Sequence, residues 1–247
     1  MSIDLQSKLR RTLKAIKSFQ SPAQDPFATS LVAAIVGLIV GYAALIFRET
    51  IALIQFIGFG TGAQDMTAFL QGLPWWQILI TPIIGGFLVS GLLWLLLAKG
   101  HAHAVADVIQ ANILSAGRIK TKDGLSSAAV AATALGSGAP VGREGPVVHL
   151  GATLASLIAR RLNAPPAMSR TLLGCGVAAA IAASFNAPLA GVFFALEVVL
   201  GSYAVASFAP IVVAAVVGTI ITRIHIGDYP AFILPDYSIA SFAEVPA

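Results

Sequence analysis

One short segment concentrates residues that can bind an anion. The run GSGAPVGREGP, residues 136–146, holds four glycines and two prolines around Arg143 and Glu144, with an apolar stretch on either side. Helices that end or begin in such a run leave backbone amides without helical partners, and a helix amino terminus adds the positive end of its dipole. Together these features bind anions without a fixed cation. The run therefore predicts an anion site.

Glu144 is the residue in this run that points most strongly to function. An ionised carboxylate beside free amides can occupy the anion position itself, and a protonated carboxyl can leave it. One residue can therefore both gate an anion path and carry a proton. Ionisable residues within a membrane are usually functional, because they are costly to place there. A second interpretation is that Arg143 and Glu144 merely neutralise each other at an interface. The residues alone leave both interpretations open.

The composition indicates an integral, polytopic α-helical membrane protein. Of the 247 residues, 57% are hydrophobic and 11% are charged, whereas about a quarter of the residues in a soluble domain are charged. The net charge of +4 lies mostly in short segments that flank apolar stretches. This pattern favours membrane lipid as a partner over nucleic acid. The single cysteine, Cys175, cannot form an intramolecular disulfide and lies in apolar sequence.

The apolar stretches predict two full spans followed by shorter helices. Phe27–Phe47 and Ile51–Phe59 read as one helix that is longer than the bilayer core and must tilt, and Gln77–Ala98 forms a second span. The later stretches fall short of the roughly 20 residues that a span needs. They are Ser126–Leu135, Val147–Ile158, Leu172–Ala183 and Ala187–Leu200, and a further apolar stretch, Phe208–Ile221, follows them. With an amphipathic first helix, we expect about seven or eight spanning or half-spanning helices.

The charge distribution predicts three regions and an orientation. Residues 1–22 hold basic residues among spaced apolar ones, which favours an amphipathic helix on the cytoplasmic membrane surface, although a solvated helix remains open. Residues 23–226 form the transmembrane unit, and residues 227–247 form a polar linker. Lys and Arg occur in the first segment and in Lys99–Asp123, but not in Gly60–Trp76. The positive-inside rule then places the amino terminus in the cytoplasm, in the plasma (inner) membrane.

Two motifs closely resemble the CLC family of chloride channels and chloride–proton antiporters. GSGAPVGREGPVVHLGATLAS is similar to the family's signature of GSG-x-P followed by GREGP. The stretch Gly176–Glu197, GVAAAIAASFNAPLAGVFFALE, is similar to the family's next pair of helices with its FNAPLAG core. The resemblance runs from about Phe27 to Asp228, and the two motifs together are highly specific.

The resemblance implies a fold, a function and a site. The implied fold is all-α, one repeat of the CLC inverted-repeat architecture, with tilted and half-spanning helices. The implied function is transport of chloride or a similar small anion, and Glu144 matches the family's gating glutamate. Backbone amides of this run would help to bind the anion. The candidate anion-binding residues here are Ser137, Gly138, Gly142, Arg143 and Gly145.

The sequence departs from the family at its first anion motif. Where the family usually has Gly-Ser-Gly-Ile-Pro, this chain reads AHAVADV, residues 102–108, without the glycines and the proline. His103 stands at the serine position. Some family members carry histidine there, so His103 is a further candidate anion contact. A purely structural histidine is the alternative.

A second departure concerns the proton route. Family members that exchange chloride for protons often carry two successive glutamates near the cytoplasmic end of the helix after FNAPLAG. Here Glu197 matches the first glutamate and Val198 replaces the second. Glu197 is thus a candidate cytoplasmic-side carboxylate. The replacement favours a gated channel, or an atypical anion/proton exchanger, over the usual two-glutamate exchanger.

A third departure is length. The family's second repeat supplies further pore residues, including a GxFxP helix start, and no such string occurs by Ala247. We therefore expect the amino-terminal half of a CLC protein, whose linker leads toward a missing second repeat. The resemblance implies a homodimer or a second-repeat partner chain. The alternative function is a non-transporting half that needs this separate second repeat.

Other chemistry finds little support in the sequence. We expect no enzyme, because no nucleophile context stands out and GREGP lacks the lysine of a phosphate-binding loop. We expect no cofactor, with chloride or a similar anion as the transported ligand. His101, His103 and Asp107 lie close in sequence, yet without cysteine or more carboxylate ligands we expect no metal site.

Overall fold

The computed structural model describes residues 26–60, 72–97 and 101–227. Within these ranges the chain forms eight helices and no strand. The predicted amphipathic helix at 1–22 lies outside the described residues, as does the predicted linker except for Gly227. The helices are α1 (Pro26–Phe59), α2 (Trp75–Leu96), α3 (Val105–Leu114), α4 (Thr121–Gly136), α5 (Glu144–Arg161), α6 (Pro166–Phe185), α7 (Pro188–Phe194, continued by a π-helical segment Ala195–Leu200) and α8 (Val205–Ile226).

Four helices are long and apolar enough to cross a membrane, namely α1, α2, α6 and α8. The 34 residues of α1 correspond to about 50 Å of helix, against roughly 30 Å of hydrocarbon, so the prediction of one tilted helix is confirmed. The expectation of a short helix at Leu172–Ala183 was wrong. Helix α6 begins earlier, at Pro166, where a first-turn proline is tolerated, and so reaches 20 residues.

Helix α6 forms the centre of the bundle. It packs against α1, α5, α7 and α8. Its middle is wholly buried and consists largely of small side chains, with Leu172 and Leu173 as the largest. Cys175 is among the fully buried residues. Because the neighbours on all sides are apolar, this helix is hydrophobic all round, as a central membrane helix must be.

Glycines let the helix backbones approach one another at the crossings. Gly151 of α5 faces Gly176 of α6, and a Cβ on either residue would collide with the backbone carbonyl of the other. On another side of α6, a Cβ on Gly218 of α8 would lie 2.9 Å from the carbonyl oxygen of Ala179. Small residues of this kind stabilise membrane helix pairs through van der Waals contact.

The packing brings one end of several helices together. Gly124 contacts Thr153, so α4 and α5 run antiparallel, and the carboxyl end of α4 lies near the amino end of α5. A Cβ on Gly145 would lie 3.4 Å from that of Ala104. The amino ends of α3 and α5 therefore meet, and the loop between α4 and α5 lies beside them.

We predict that Gly151→Val destabilises the bundle by roughly 1–3 kcal/mol, because its side chain must displace the α6 backbone. The measurement is the midpoint of thermal unfolding of the purified protein in detergent. Gly91→Ala is the matched control, since nothing lies within 4 Å of a Cβ at that position of α2. Alanine also favours a helix over glycine. An unchanged midpoint for Gly151→Val would contradict the close crossing.

Candidate anion site

The amino end of α5 leaves backbone amides free beside the loop that joins it to α4. Arg143 caps the helix without a side-chain hydrogen bond, and the amides of Gly142, Arg143, Glu144 and Gly145 donate no hydrogen bond within the described part of the chain. Gly142 has a φ of +72°, a conformation that glycine adopts readily. Pro146 has no N–H to leave unpaired, as expected in a first turn. These donors and the helix dipole can hold an anion.

The amides earlier in the run are already used. The Ser137 amide donates to the carbonyl of Thr133 at 3.0 Å, and the Gly138 amide donates to that of Leu135 at 3.1 Å. The Ser137 hydroxyl also donates to Thr133, at 2.7 Å. These bonds satisfy the carboxyl end of α4. The available donors are therefore at Gly142–Gly145, not at Ser137 and Gly138.

The carboxylate of Glu144 folds back over the loop. Its Oε2 atom would lie 2.6 Å from a Cβ on Gly142, so the absence of a side chain at Gly142 makes room for it. The side chain is exposed and accepts no hydrogen bond within the described residues. An ionised carboxylate is favoured at the positive end of α5. Glu144 thus lies next to the free amides.

Arg143 joins this loop to the second motif. Its guanidinium carbon lies 5.0 Å from the ring centroid of Phe185, at the end of α6, in a cation–π contact. Among the described residues it forms no ion pair with Glu144. The geometry thus favours separate roles over mutual neutralisation. Phe185 is a residue that sequence reasoning did not select, although it stands within the FNAPLAG motif.

The turn after Phe185 is held by α8. Asn186 adopts a left-handed conformation with a φ of +52°, and its Oδ1 accepts a hydrogen bond from Nε of Arg223 at 2.8 Å. The Thr222 hydroxyl donates to the carbonyl of Ala183 at 2.9 Å. These contacts fix where α7 begins relative to α5. They join residues almost forty positions apart, and no local pattern indicates them.

His103 lies in the loop before α3, beside the start of α5. It is buried, and its amide donates to the Ser127 hydroxyl of α4 at 2.6 Å. Its Nδ1 is 2.9 Å from Oδ1 of Asp107. The second oxygen of Asp107 accepts a hydrogen bond from the Ala104 amide at 2.9 Å. Sequence reasoning gave Ser127 no role, and an aspartate three residues after a helix cap was the available signal for Asp107.

Comparison with known proteins places the chain in a family. Residues 85–247 match the family model described as voltage gated chloride channel. That match covers well over half of the chain. The chain belongs to the voltage gated chloride channel family.

The relatives agree with this assignment. A chloride channel protein described as ClcB-like from Ralstonia nicotianae is 33% identical over 223 residues, which cover 87% of this chain and 51% of the relative. The voltage-gated ClC-type chloride channel ClcB of Salmonella typhi is 32% identical over 205 residues, with 82% and 48% covered. This chain therefore spans about half the length of these family members.

A solved structure agrees on the fold. An X-ray structure titled as a slow cyanobacterial Cl⁻/H⁺ antiporter matches with a TM-score of 0.68 at 23% identity. The match covers 87% of this chain and 51% of the other. The predicted family and the predicted all-helical fold of its amino-terminal half are confirmed. With the apolar helices, this also establishes an integral, multi-pass membrane protein in contact with lipid. The family consists of channels and transporters rather than enzymes.

Glu197, the other carboxylate that the family comparison brought forward, lies apart from this site. It occupies the π-helical segment, about 14 Å along the axis from the start of α7. Its Oε2 accepts a hydrogen bond from the Tyr203 hydroxyl at 3.3 Å. Both Glu197 and its neighbour Val198 are exposed.

We predict that Ser127→Ala loosens the His103 loop, because the His103 amide and carbonyl both bond to this hydroxyl, at 2.6 and 3.2 Å. Losing a buried pair of this kind costs about 1–3 kcal/mol. Hydrogen–deuterium exchange of the peptide that contains residues 101–108 is expected to speed up. Ser126→Ala, a buried neighbour without a described hydrogen bond, is the control. Equal exchange in both variants would argue against this anchor.

Proposed function

We propose that this chain takes part in moving chloride or a similar small anion across a membrane, as a gated channel or an atypical anion/proton exchanger. The observation that carries the proposal is the carboxylate of Glu144 folded over Gly142, beside the free amides of Gly142–Gly145. The names of the chloride channel relatives and of the antiporter support this assignment.

Glu144 is the gate in this proposal. When ionised, it takes the anion's place at the amino end of α5, and the dipole stabilises it there. When protonated, the carboxyl loses its charge and that stabilisation, so an anion replaces it at the amides. The Arg143 guanidinium adds a positive charge nearby without blocking the amides, because it stacks on Phe185. Donors that are already oriented bind an anion with little reorganisation.

A proton path to the cytoplasm is less complete. Val198 stands where exchangers of the family often have their second glutamate, and it offers no proton acceptor. Glu197 remains the candidate cytoplasmic-side carboxylate, with Tyr203 as its hydrogen-bond donor. This arrangement favours a channel, or an exchanger with another proton route.

The basic residues support an orientation. Arg160 near the end of α5 donates a hydrogen bond to the carbonyl of Ile119 at 2.7 Å. This contact gathers Arg118, Lys120 and Arg161 at the end of the bundle away from Glu144. By the positive-inside rule that end faces the cytoplasm. We place the amino terminus on the same side, in the plasma (inner) membrane.

The outer faces of the bundle support a partner. Phe87 and Trp94 on α2 are 77% and 87% exposed, and Phe56 on α1 is also largely exposed. Lipid can cover such surfaces. A second repeat or a second copy of this chain can also cover them, and the chain spans half the length of its relatives. The alternative function, a half that transports only with a separate second repeat, follows from the same faces.

The test is chloride efflux from liposomes that contain the purified chain. Glu144→Ala removes the competing carboxylate, so we expect efflux several-fold faster than in the unchanged protein, with a weaker dependence on pH. Glu49→Gln is the matched control, because it removes a carboxylate on the exposed side of α1.

The other outcomes separate the candidate functions. Efflux that is equal in the unchanged protein and in Glu144→Ala would remove Glu144 from the gate. If neither protein conducts chloride, a pore made by this chain alone is excluded. The non-transporting half would then be the correct description.

A further inference from the structure

Three of the four histidines of the chain gather at one place. His101 and His103 precede α3, and His149 comes from the second turn of α5. The His103 ring lies 5.3 Å from the His101 ring and 5.2 Å from the His149 ring, between centroids. Such a cluster requires α3 and α5 to start side by side, and the spacing in sequence does not show it.

Three side chains of this cluster offer ligand atoms to one point. One donor atom each from His101, His103 and Asp107 lies within 4.8 Å of the others. Donors around one ion with bonds of about 2.1 Å are at most about 4.2 Å apart. A small rotation of the exposed His101 side chain therefore brings the three into range. No such rotation is needed for His103 and Asp107, whose Nδ1 and Oδ1 are already 2.9 Å apart.

The surroundings hold two of these ligands in place. The second Asp107 oxygen is fixed by the Ala104 amide. Oδ1 lies 2.9 Å from Nδ1 of His103, and both atoms become available to an ion when it displaces the proton between them. The His103 backbone is fixed on both sides by the Ser127 hydroxyl. Ligands held by such outer contacts lose little freedom when they bind a metal.

A buried polar atom beside the cluster lacks a partner. Nδ1 of His149 makes no hydrogen bond in the described part of the chain, although the residue is 2% exposed. Buried polar atoms are nearly always satisfied, and an exception calls for water or an ion nearby. Because the His149 ring stacks on His103 at an interplanar angle of 22°, its free atom belongs to this cluster.

We propose that His101, His103 and Asp107 bind a divalent first-row transition metal ion of the zinc class. Two imidazoles and one carboxylate are a common ligand set for zinc and its neighbours. The partly exposed Asp107 and exposed His101 leave a route for the ion and a coordination position for water or an anion. His149 stacks on the His103 ring and is itself buried, so it forms part of the apolar-side surroundings of His103.

An ion at this cluster would change the charge near the free amides of α5 and so affect anion binding there. This consequence rests on the proposed function. Ala104 lies against Gly145, so the Asp107 carboxylate stands near the free amides at the start of α5. Its negative charge alone repels an anion there. A bound divalent cation reverses the sign of the local charge, and the site then attracts the anion.

The test is a titration of the purified, untagged chain in detergent with zinc chloride, followed by isothermal calorimetry. We expect one ion per chain, with affinity lowered at least tenfold by His101→Ala and by Asp107→Asn. Asparagine keeps an oxygen for the Ala104 amide, so α3 keeps its cap. His225→Ala is the control, because the His225 ring contacts Tyr42, no described contact joins it to the cluster, and the change should not affect binding.

Zinc X-ray absorption of the unchanged protein gives a readout that does not depend on how well the variants fold. Two imidazole ligands are expected, and a spectrum without imidazole scattering would overturn the site. So would the absence of zinc binding, or unchanged affinity in both variants. Chloride efflux with and without zinc tests the consequence separately. If zinc binds as expected but no chloride moves, the proposed function fails and the metal site stands.

Discussion

The free amides at the amino end of α5 place the strongest demand on the rest of the structure. Amides that lack partners at membrane depth cost several kcal/mol each unless protein, water or a ligand satisfies them. These N–H groups need acceptors, and no oxygen among the described residues accepts a hydrogen bond from the amides of Gly142–Gly145. The carboxylate of Glu144, or an anion in its place, is the partner that the geometry allows.

Close packing of the helices fixes the position of the loop and of the free amides at the amino end of α5. Gly151 and Gly176 let α5 lie directly on α6, so the end of α6 reaches Arg143 through Phe185. Arg223 of α8 then fixes the following turn through Asn186. A loop rich in glycine would otherwise lose its free amides to other conformations, because glycine restricts the backbone so little. The stiffness of the site thus comes from helices that contribute no anion ligand.

The first motif shows how the same packing accommodates a different sequence. Without its glycines and proline, the loop before α3 is held instead by Ser127 and Asp107. The Asp107 carboxylate accepts the hydrogen bond of the Ala104 amide, which is therefore not free to bind an anion. One consequence is a carboxylate near the free amides at the start of α5. Another is a cluster of imidazoles that lies against the start of α5.

The class of the protein and its family could be predicted from the sequence, which also selected Glu144, the residue that the structure places beside the free amides. Apolar stretches of membrane length, GREGP and FNAPLAG sufficed, because span length and motif identity are local properties. The apolar pattern predicted α1 as one long helix, but the helix that it predicted at Leu172–Ala183 is shorter than the observed α6, Pro166–Phe185. The polar residues Ser169, Arg170 and Thr171 interrupt the apolar pattern without interrupting the helix.

Which of the predicted groups lie close together depends on the tertiary structure. In the folded chain the amides of Ser137 and Gly138 donate hydrogen bonds to carbonyls of α4. The Arg143 guanidinium stacks on the Phe185 ring and, in the described part of the chain, forms no ion pair with Glu144. The fold also stacks His149 on His103. Each of these contacts joins different helices or depends on how a loop closes a helix end. Their distances follow from the packing of whole helices, which the types of residues along the chain do not specify.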